Sequence, residues 1–475
     1  MNSRSATRQP VTARTRVPGL SGSDGDSGSH GATLTGPVTG GMKGWIYRAP
    51  ELDLKKIGYV LEEYFVSGSA NSYRIVDGKA AGPNDIQHTE VGDTQPFTTR
   101  IFILRPADPE RYNGVLMVNW QNVSAGYENG WPPEEIYNGY AWMAVSAQAM
   151  GVNGTPENDE YSLKRWDPVR YGTLNHPGDP YSYDIFAKSV AAVLGDLSDG
   201  GPMGGLNTRT VIATGGSQSA MRLATYINAV RQHEHVFDGF LLLSHFGIAA
   251  PLNDLGLDQM FDPKNGGPLP FLSRINDRGD VKILVINSQA EALVQFAMRQ
   301  PDSDSFRCWE IAGAPHAPPS AVAHKNAANK RDGLPEDGAE PGRNVVEWGY
   351  VVDAGIRDLA GWIAFDAMPP RFEPLAIEMT AKGPAFETDQ SGNVLSGIRP
   401  PEVAAAIGTH SAGLPKKNLL GWTELFDRDR MIKIHLTRED FLKSWNDAVD
   451  RLLAEGLVLS AQAVALRKHA SYFWQ

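Results

Sequence analysis

The sequence has little cysteine, no long apolar run and no excess of positive charge. Its one cysteine, Cys308, has no partner for a disulfide within the chain. The formal net charge is −11, and the lysines and arginines are scattered, so they form no basic face for nucleic acid or anionic lipid. No apolar run approaches the roughly 18 residues that a membrane-spanning helix needs. We therefore expect neither nucleic acid nor a membrane as a partner.

Motifs for metals and nucleotides are also missing. The chain contains no HExxH pair, no cysteine pair and no GxxxxGK[ST] phosphate loop. The residues from His233 to His235 read His-Glu-His, but they follow a helical pattern, and their alternation suits a helix end in water. We expect no metal and no cofactor.

The N-terminal segment has the composition of a disordered chain. Residues 1–42 are rich in Gly, Ser and Pro and lack the apolar stretch of a secretory signal. Their Arg and Thr content also suits an organellar transit peptide, which is the alternative interpretation. We predict a disordered tail over residues 1–42, a single domain over residues 43–475 and a cytoplasmic location.

Apolar runs alternate with helical patterns along the remaining chain. Eight segments are typical of strands, and several are almost continuously apolar, as in strands buried on both faces of a sheet: EEYFVSG, TTRIFILRP, GVLMVNW, AWMAVSAQ, TVIATG, FDGFLLLSH, VKILVIN and FRCWEIAG. Helical spacing of apolar residues follows Tyr183 and Ser217. This alternation predicts an α/β fold with a mostly parallel sheet flanked by helices.

Two long polar segments interrupt the alternation, at about residues 149–207 and 317–344. Loops of this length in a compact domain are usually functional or disordered, and we predict that they form lids over a pocket. A C-terminal helical extension follows. Its helix begins at the capping pair Thr437 and Asp440 and ends at Gly456.

The stretch VIATGGSQSAMRL has the pattern of a nucleophile elbow. A strand ends at two glycines, Ser217 stands at the turn, and a helix begins at once. The general pattern is G-x-S-x-G, and here Ser219 replaces the second glycine. Ser219 is itself a rival nucleophile, but it would lie inside the helix, so we favour Ser217.

A serine nucleophile needs a base that a carboxylate orients, and in α/β-hydrolase sheets these follow in the order Ser, acid, His. Glu291 follows the strand VKILVIN, and His316 follows the strand FRCWEIAG. We predict the triad Ser217, Glu291 and His316. Three rivals are less well placed, since Asp238 precedes its strand, and His324 and His410 lie in polar loops.

The remaining site residues are predicted from their positions in loops. The backbone N–H of Gln218, at the helix N-terminus, is placed to stabilise an oxyanion. The second donor is expected after the strand GVLMVNW, from the backbone of Gln121 or Asn122 or from the Asn122 side chain. Lid aromatics that could contact substrate, or equally pack in the core, are Trp131, Tyr171 and Tyr181.

Several of these stretches resemble the large bacterial alpha/beta hydrolase domain proteins. They include TTRIFILRPADPERYNGVLMVNWQNVSAG, WDPVRYGTLNHPGDPYSYDIF, GGSQSAMRL and AGAPHA, and the resemblance runs from about residue 45 to the end. The family's elbow reads like Gly-x-Ser-Gln-Ser-Gly, so Ser219 fits it, while Ala220 departs from its glycine. Glu291 stands where the family's acid loop has Asp. The resemblance implies the α/β-hydrolase fold and a serine hydrolase mechanism.

These observations predict a serine hydrolase that cleaves an ester or lactone of a small apolar or aromatic molecule through an acyl-enzyme. The same fold hosts cofactor-free lyases and acyltransferases, and fold alone does not determine function. A non-catalytic small-molecule-binding protein is the other alternative. It would have at least one of Ser217, Glu291 and His316 pointing away from the others.

Overall fold

A large mixed sheet organises the chain. The structure is a computed structural model that describes residues 31–76, 87–156, 159–338, 340–412 and 419–474. Among these residues, the main sheet has nine strands: β1 (Ala32–Thr35), β2 (Tyr59–Ile75), β3 (Thr89–Pro106), β4 (Val115–Trp120), β5 (Ala141–Val145), β6 (Thr210–Gly216), β7 (Gly239–Leu243), β8 (Lys282–Ser288) and β9 (Phe306–Ile311). Two small hairpins follow, β10 (Ile377–Thr380) with β11 (Gly383–Phe386), and β12 (Gly408–Ser411) with β13 (Trp422–Leu425).

The strand order is β1-β2-β3-β5-β4-β6-β7-β8-β9. The pairs from β5 to β9 are parallel, and β1, β2, β3 and β5 pair antiparallel in turn. Every residue of β4 and β5 is buried, as expected for strands covered on both faces. Each of the eight predicted strand segments overlaps one of the strands β2 to β9, and the predicted α/β fold with a mostly parallel sheet is confirmed.

Helices cover both faces of the main sheet. In chain order they are α1 (Leu54–Ile57), α2 (Ala149–Asn153), α3 (Leu163–Trp166), α4 (Pro168–Tyr171), α5 (Ser182–Gly195), α6 (Gln218–Thr225), α7 (Leu257–Phe261), α8 (Gln289–Gln295), α9 (Pro319–Asp332), α10 (Gly349–Phe365), α11 (Pro401–Ala404), α12 (Arg428–His435), α13 (Arg438–Ala454) and α14 (Ser460–His469). In the part of the chain that the structure describes, none of these is long and apolar enough to cross a bilayer.

Two large apolar cores lie on opposite faces of the sheet. Side chains that alternate along each strand point to opposite faces. One core joins the face that contains Met117 and Leu241 to α10, α13 and α14. The other joins the face that contains Leu116 and Ala213 to α5 and α6. The strands are therefore buried on both sides, and the carboxyl ends of the parallel strands meet along one edge of the sheet.

The predicted C-terminal helix is confirmed as α13. The Thr437 hydroxyl accepts the Asp440 backbone N–H at 3.1 Å, which satisfies one of the unpaired donors of the first turn. Phe441 and Trp445 form part of its buried stripe. Gly456, at φ +77°, follows the helix in the left-handed conformation that only glycine adopts without strain.

The prediction of a disordered tail over residues 1–42 is wrong at its C-terminal end. Residues 32–35 form strand β1, which pairs antiparallel with Phe65–Gly68 of β2. The following backbone is also held, because the Val38 N–H donates to the Glu63 carbonyl at 2.7 Å. Pairing with an exposed sheet edge orders a segment whose composition alone favours disorder. Residues 1–30 lie outside the described residues.

The prediction that residues 149–207 form a lid is also wrong for the described part of that segment. Helices α3 and α4 pack in a separate apolar cluster with Tyr47 and Phe65, and α5 covers one face of the sheet. None of the described residues in this segment lines the cavity at the active-site edge. The second predicted lid, at residues 317–344, does contribute to the wall of that cavity, chiefly through the first half of α9.

Candidate active site

Ser217 stands at a strained corner between β6 and α6. Its backbone has φ +58° and ψ −120°, a conformation that non-glycine residues rarely adopt. Two hydrogen bonds hold this corner, from the Ser217 N–H to the Leu243 carbonyl at 2.9 Å and from the Met221 N–H to the Ser217 carbonyl at 3.1 Å. Strain of this kind is maintained when the surrounding structure over-determines it, and it is concentrated at functional sites. The corner presents the serine to the cavity, of which Ser217 forms part of the wall.

Only one of the two elbow glycines is sterically required. A Cβ at Gly215 would lie 2.8 Å from the Ser219 Cβ and 3.2 Å from Leu223 Cδ1. A Cβ at Gly216 would meet nothing closer than the Leu243 Cβ, at an ordinary 3.7 Å. The glycine at 215 therefore lets α6 cross closely over the end of β6.

Ser219 is not positioned to react. It is 0% exposed and does not line the cavity, and among the described residues its hydroxyl has no hydrogen-bond partner. Its small side chain lies against Gly215. Of the two serines in the elbow, Ser217 is the one that reaches the cavity.

Glu291 and His316 are joined by a hydrogen bond. Glu291 lies in the first turn of α8, immediately after β8, and His316 follows β9. The distance from His316 Nδ1 to Glu291 Oε1 is 2.5 Å, and the carboxylate is fully buried. The other carboxylate oxygen, Oε2, accepts both the backbone N–H and the hydroxyl of Ser288 at 2.8 Å. Glu291 thus closes the capping box of α8 with one oxygen and holds the imidazole with the other.

The backbone and ring of His316 are held from several sides. Its N–H donates to the Leu419 carbonyl at 2.9 Å, and its carbonyl accepts the Ser244 hydroxyl at 2.9 Å. The ring lies 5.5 Å from the ring of Phe246, measured between centroids. His316 and Ser217 line the same cavity, although these two described side chains make no direct hydrogen bond. In structures without substrate, the hydrogen bond between a nucleophile and its base is often long.

The other histidines that could serve as a base lie in different surroundings. His410 is buried, with its ring nitrogens bonded to the Thr423 hydroxyl and the Glu402 carbonyl, and burial lowers its pKa to about 4. His245 is also buried, and burial lowers its pKa to about 4. His324 is exposed on α9 at the edge of the cavity. Within the described residues, His316 is the one histidine paired with a carboxylate.

The predicted oxyanion donors differ in availability. The Gln218 N–H is among the first N–H groups of α6, which have no acceptor within the helix. The backbone N–H groups of Gln121 and Asn122 are already used, since they donate to the Val145 carbonyl at 3.2 Å and the Asn129 carbonyl at 3.0 Å. The prediction of a backbone donor at Gln121 or Asn122 is therefore wrong. The Asn122 side chain remains a candidate donor, and its amide donates to the Gly216 carbonyl at 3.0 Å.

A cavity of about 610 Å³ lies against Ser217 and His316. Of the three predicted aromatic contacts, Trp131 lines it, while Tyr171 and Tyr181 do not. Tyr171, the last residue of α4, is 0% exposed, and its hydroxyl donates to Glu63 at 2.9 Å. Its ring packs in the separate apolar cluster that also contains Tyr47 and Phe65. Tyr181 packs against the core beside α5. Both aromatics belong to a segment that folds onto the sheet instead of over the site.

The sequence reasoning missed the opposite wall of the cavity. That wall comes from α10, the residue before it and α14, and it includes Trp348, Tyr350, Val352, Ile356, Gln462 and Leu466. Asp353 also lines it, and burial raises the pKa of this carboxyl to about 7. The helical spacing of apolar residues in both segments was visible in the sequence, but it predicts burial without indicating what the buried face contacts. Among the described residues, no cluster of three or more metal-binding side chains is present.

Comparison with known proteins places the chain in a family. A profile of the alpha/beta hydrolase domain family matches residues 34–468. No curated protein matches the chain. Similar solved structures include esterase Est22, at 12% identity and TM-score 0.29, covering 54% of this chain and 74% of that one. Brefeldin A esterase, a bacterial homologue of human hormone-sensitive lipase, has 14% identity and TM-score 0.30, with coverage of 68% and 81%. Oligopeptidase B from Leishmania major has 10% identity and TM-score 0.30, with coverage of 58% and 36%. With the family profile spanning nearly the whole sheet and the helices that cover it, this chain belongs to the alpha/beta hydrolase domain family.

Proposed function

We propose that the protein is a serine hydrolase that cleaves carboxylic esters or lactones of small apolar or aromatic molecules, with Ser217 as its nucleophile. The observation that supports this most strongly is the 2.5 Å bond between His316 and the buried Glu291, beside a cavity that Ser217 also lines. A serine hydroxyl is a weak nucleophile until a neighbouring base takes its proton. A base held by a carboxylate at a strained serine corner meets that requirement.

Acylation begins at the Ser217 hydroxyl. With Nδ1 of His316 bonded to Glu291, Nε2 is the ring nitrogen that accepts the hydroxyl proton. The serine oxygen attacks the substrate carbonyl carbon, and the carbonyl electrons move onto its oxygen. The tetrahedral intermediate then collapses, the bond to the leaving oxygen breaks, and His316 returns the proton to that oxygen. The product is an alcohol and an acyl group on Ser217.

Deacylation reverses these roles with water. His316 takes a proton from a water molecule, the hydroxide attacks the acyl carbon, and the proton returns to Ser217 as the acid leaves. Throughout, Glu291 fixes the tautomer of the imidazole and stabilises its positive charge. These steps need no cofactor.

The negative charge on the carbonyl oxygen requires preorganised donors. The Gln218 N–H, at the start of α6, supplies one and is reinforced by the helix dipole. The Asn122 amide is the second candidate donor, because it lines the cavity and is held at the Gly216 carbonyl, next to the nucleophile. One amide proton makes that bond, and the other is available to the substrate.

The wall of the cavity favours an apolar substrate. Aliphatic and aromatic side chains form most of it, and the tryptophans at 120, 131, 142 and 348 are the largest of these. Polar groups are also present, near Ser217 and at more distant positions such as Asp353. Pockets of this kind bind ligands mainly through apolar contact and use their few polar groups for orientation.

Labelling with a fluorophosphonate tests the proposal directly. We expect an adduct on Ser217, shown by mass mapping of peptides, that is lost in Ser217→Ala and kept in Ser219→Ala. The second variant is a matched control because Ser219 lies two residues away and does not reach the cavity. We also expect 4-nitrophenyl acetate in water to give acetate as the product. An unlabelled protein, or an adduct on Ser219, would contradict the proposal and favour a protein that only binds small molecules. A labelled protein that gives no free acid would instead indicate a lyase or an acyltransferase.

A further inference from the structure

The cavity extends well beyond the residues that would carry out the chemistry. From Ser217 and His316 it continues between one face of the main sheet and the helices α10 and α14. Asp353 and Gln462 are polar groups in this wall, and the Gln462 side-chain amide donates to the Asp353 carboxylate at 3.0 Å. The other lining side chains are mostly apolar: Met117, Trp142 and Leu241 from the sheet, Tyr350, Val352 and Ile356 from α10, and Ala465 and Leu466 from α14. Met117, Leu241 and Ile356 are 0–1% exposed, so the extension reaches into the core.

The length of this extension follows from the geometry of α10. Trp348, the residue before the helix, donates its indole N–H to the Pro315 carbonyl at 3.0 Å, so the helix begins beside His316. Ile356 lies seven residues beyond Gly349, which is about 10 Å further along the helix axis at 1.5 Å per residue. An extended chain of single bonds advances roughly 1.2 Å per bond. The extension therefore has the length of roughly eight carbon atoms.

The two sides of the reacting centre differ in character. Ser124 and Ala125, together with His324 on α9, are exposed where they line the cavity near Ser217. This side suits a leaving alcohol, which must depart into water. The inner part of the extension, at Met117, Leu241 and Ile356, is buried in the core, and it suits the half of the substrate that stays bound to the serine until water attacks.

We propose that the extension between the sheet and the helices α10 and α14 binds the acyl group of the substrate, and that it accommodates an unbranched acyl chain of about eight carbons. This inference rests on the proposed function and specifies its substrate class. A two-carbon acyl group would leave most of the 610 Å³ cavity unfilled. Each further methylene buried against these side chains raises kcat/KM by up to about fourfold.

A series of 4-nitrophenyl esters with acyl groups from two to sixteen carbons measures this directly. We expect kcat/KM to rise with acyl length, to reach its maximum near eight carbons and to fall for longer chains. A second series of acetates with alcohols of increasing length keeps the acyl group constant, and there we expect a flat profile. A maximum at the two-carbon acyl group, or a chain-length dependence in the alcohol series alone, would overturn the proposal.

Two variants shorten the extension from different walls. Val352→Phe places a larger side chain at a buried position of α10 that lines the cavity, and Ala465→Phe does so at an exposed position of α14. In both we expect the octanoate-to-acetate ratio of kcat/KM to fall by about tenfold or more. Val464→Phe is the matched control, because Val464 neighbours Ala465, is 51% exposed and does not line the cavity. Its ratio should equal that of the unmodified protein.

The outcomes separate this inference from the function on which it depends. Val352→Phe could misfold, but Ala465→Phe alters a position that is already exposed, so it keeps the test decisive. If both variants are labelled by the fluorophosphonate and retain the original octanoate-to-acetate ratio, the acyl site lies elsewhere and the inference is wrong. If the unmodified protein neither reacts with the fluorophosphonate nor hydrolyses any ester, the proposed function itself fails.

Discussion

Replacement of Glu291 by glutamine separates the two tasks that this carboxylate performs. Oε2 accepts the Ser288 N–H and hydroxyl in the capping box of α8, and Oε1 accepts from His316 Nδ1. A glutamine carbonyl oxygen can still accept from Ser288, so the helix cap survives. Its amide then faces His316 as a donor. The imidazole must respond by carrying its proton on Nε2, and it can no longer take the proton of Ser217.

The expected magnitudes differ widely between activity and stability. Loss of the correct tautomer costs about 10⁴-fold in kcat where an acid orients a catalytic histidine, which corresponds to about 5.5 kcal/mol. Loss of the N-cap alone costs about 1 kcal/mol of stability. Glu291→Gln should therefore be nearly inactive while unfolding close to the temperature of the unmodified protein.

Ser288→Ala provides the complementary control. It removes the hydroxyl that accepts the Ala290 N–H and donates to Glu291, but it leaves the Ser288 backbone N–H on the carboxylate. We expect this variant to lose about 1 kcal/mol of stability and to keep its kcat within about tenfold.

The assay is hydrolysis of 4-nitrophenyl acetate, with thermal unfolding measured on the same samples. If Glu291→Gln keeps more than about a tenth of the activity, Glu291 is a helix-capping residue and another group orients His316. If Ser288→Ala loses as much activity as Glu291→Gln, the helix cap, and not the carboxylate, is what the site requires. Either result would refute the assignment of Glu291 as the acid that orients His316.

Three further predictions concern the elbow, the oxyanion donor and the wall of the cavity. Gly215→Ala places a Cβ within 2.8 Å of the Ser219 Cβ, so α6 must shift. We expect the free energy of unfolding to fall by about 1–3 kcal/mol and the labelling of Ser217 to be greatly reduced. Gly216→Ala, whose Cβ would have its nearest neighbour at 3.7 Å, should have a smaller effect. Equal effects of the two would contradict the steric argument. Asn122→Ala removes the side-chain amide and should lower kcat by about 10²–10³ with little change in KM; a change below threefold would exclude Asn122 as an oxyanion donor. Burial raises the pKa of Asp353 from 3.8 to about 7, so between these pH values the folded state holds a proton that the unfolded state has released, and stability falls as pH rises. The Asp353→Asn variant does not lose stability in this way. In urea unfolding, the free energy of unfolding of the variant minus that of the unmodified protein should rise by up to about 4 kcal/mol from pH 4 to pH 8. A difference that stays constant over this range would contradict the prediction.

The local features of this protein could be predicted from its sequence. The apolar runs predicted all the strands from β2 to β9, because a strand buried on both faces needs apolar residues on both. The corner at Ser217 was predictable because glycines and a following helical pattern mark a tight turn within a few residues. Glu291 and His316 could be proposed because each follows a strand, and the carboxyl ends of parallel strands meet at one edge.

Other features depend on segments that meet only in the folded chain. The edge strand β1 is ordered by pairing with β2, and its own composition gives no indication of this. From the sequence, the backbone N–H groups of Gln121 and Asn122 could be expected to serve as oxyanion donors. In the folded chain they donate to the Val145 and Asn129 carbonyls. Hydrogen-bond partners outside regular elements depend on which loops come together, and a local pattern does not specify this.

The class of fold, the corner at Ser217 and the order of the serine, the acid and the histidine follow from the sequence alone, since these depend on short-range patterns and on strand order. The shape and the walls of the cavity arise only when distant segments pack together in the folded chain. The segment at residues 149–207, rich in aromatics and polar loops, folds away from the site, while α10 and α14 enclose it. An amphipathic helix buries its apolar face wherever a complementary surface exists, so packing between distant elements selects which helices line a pocket.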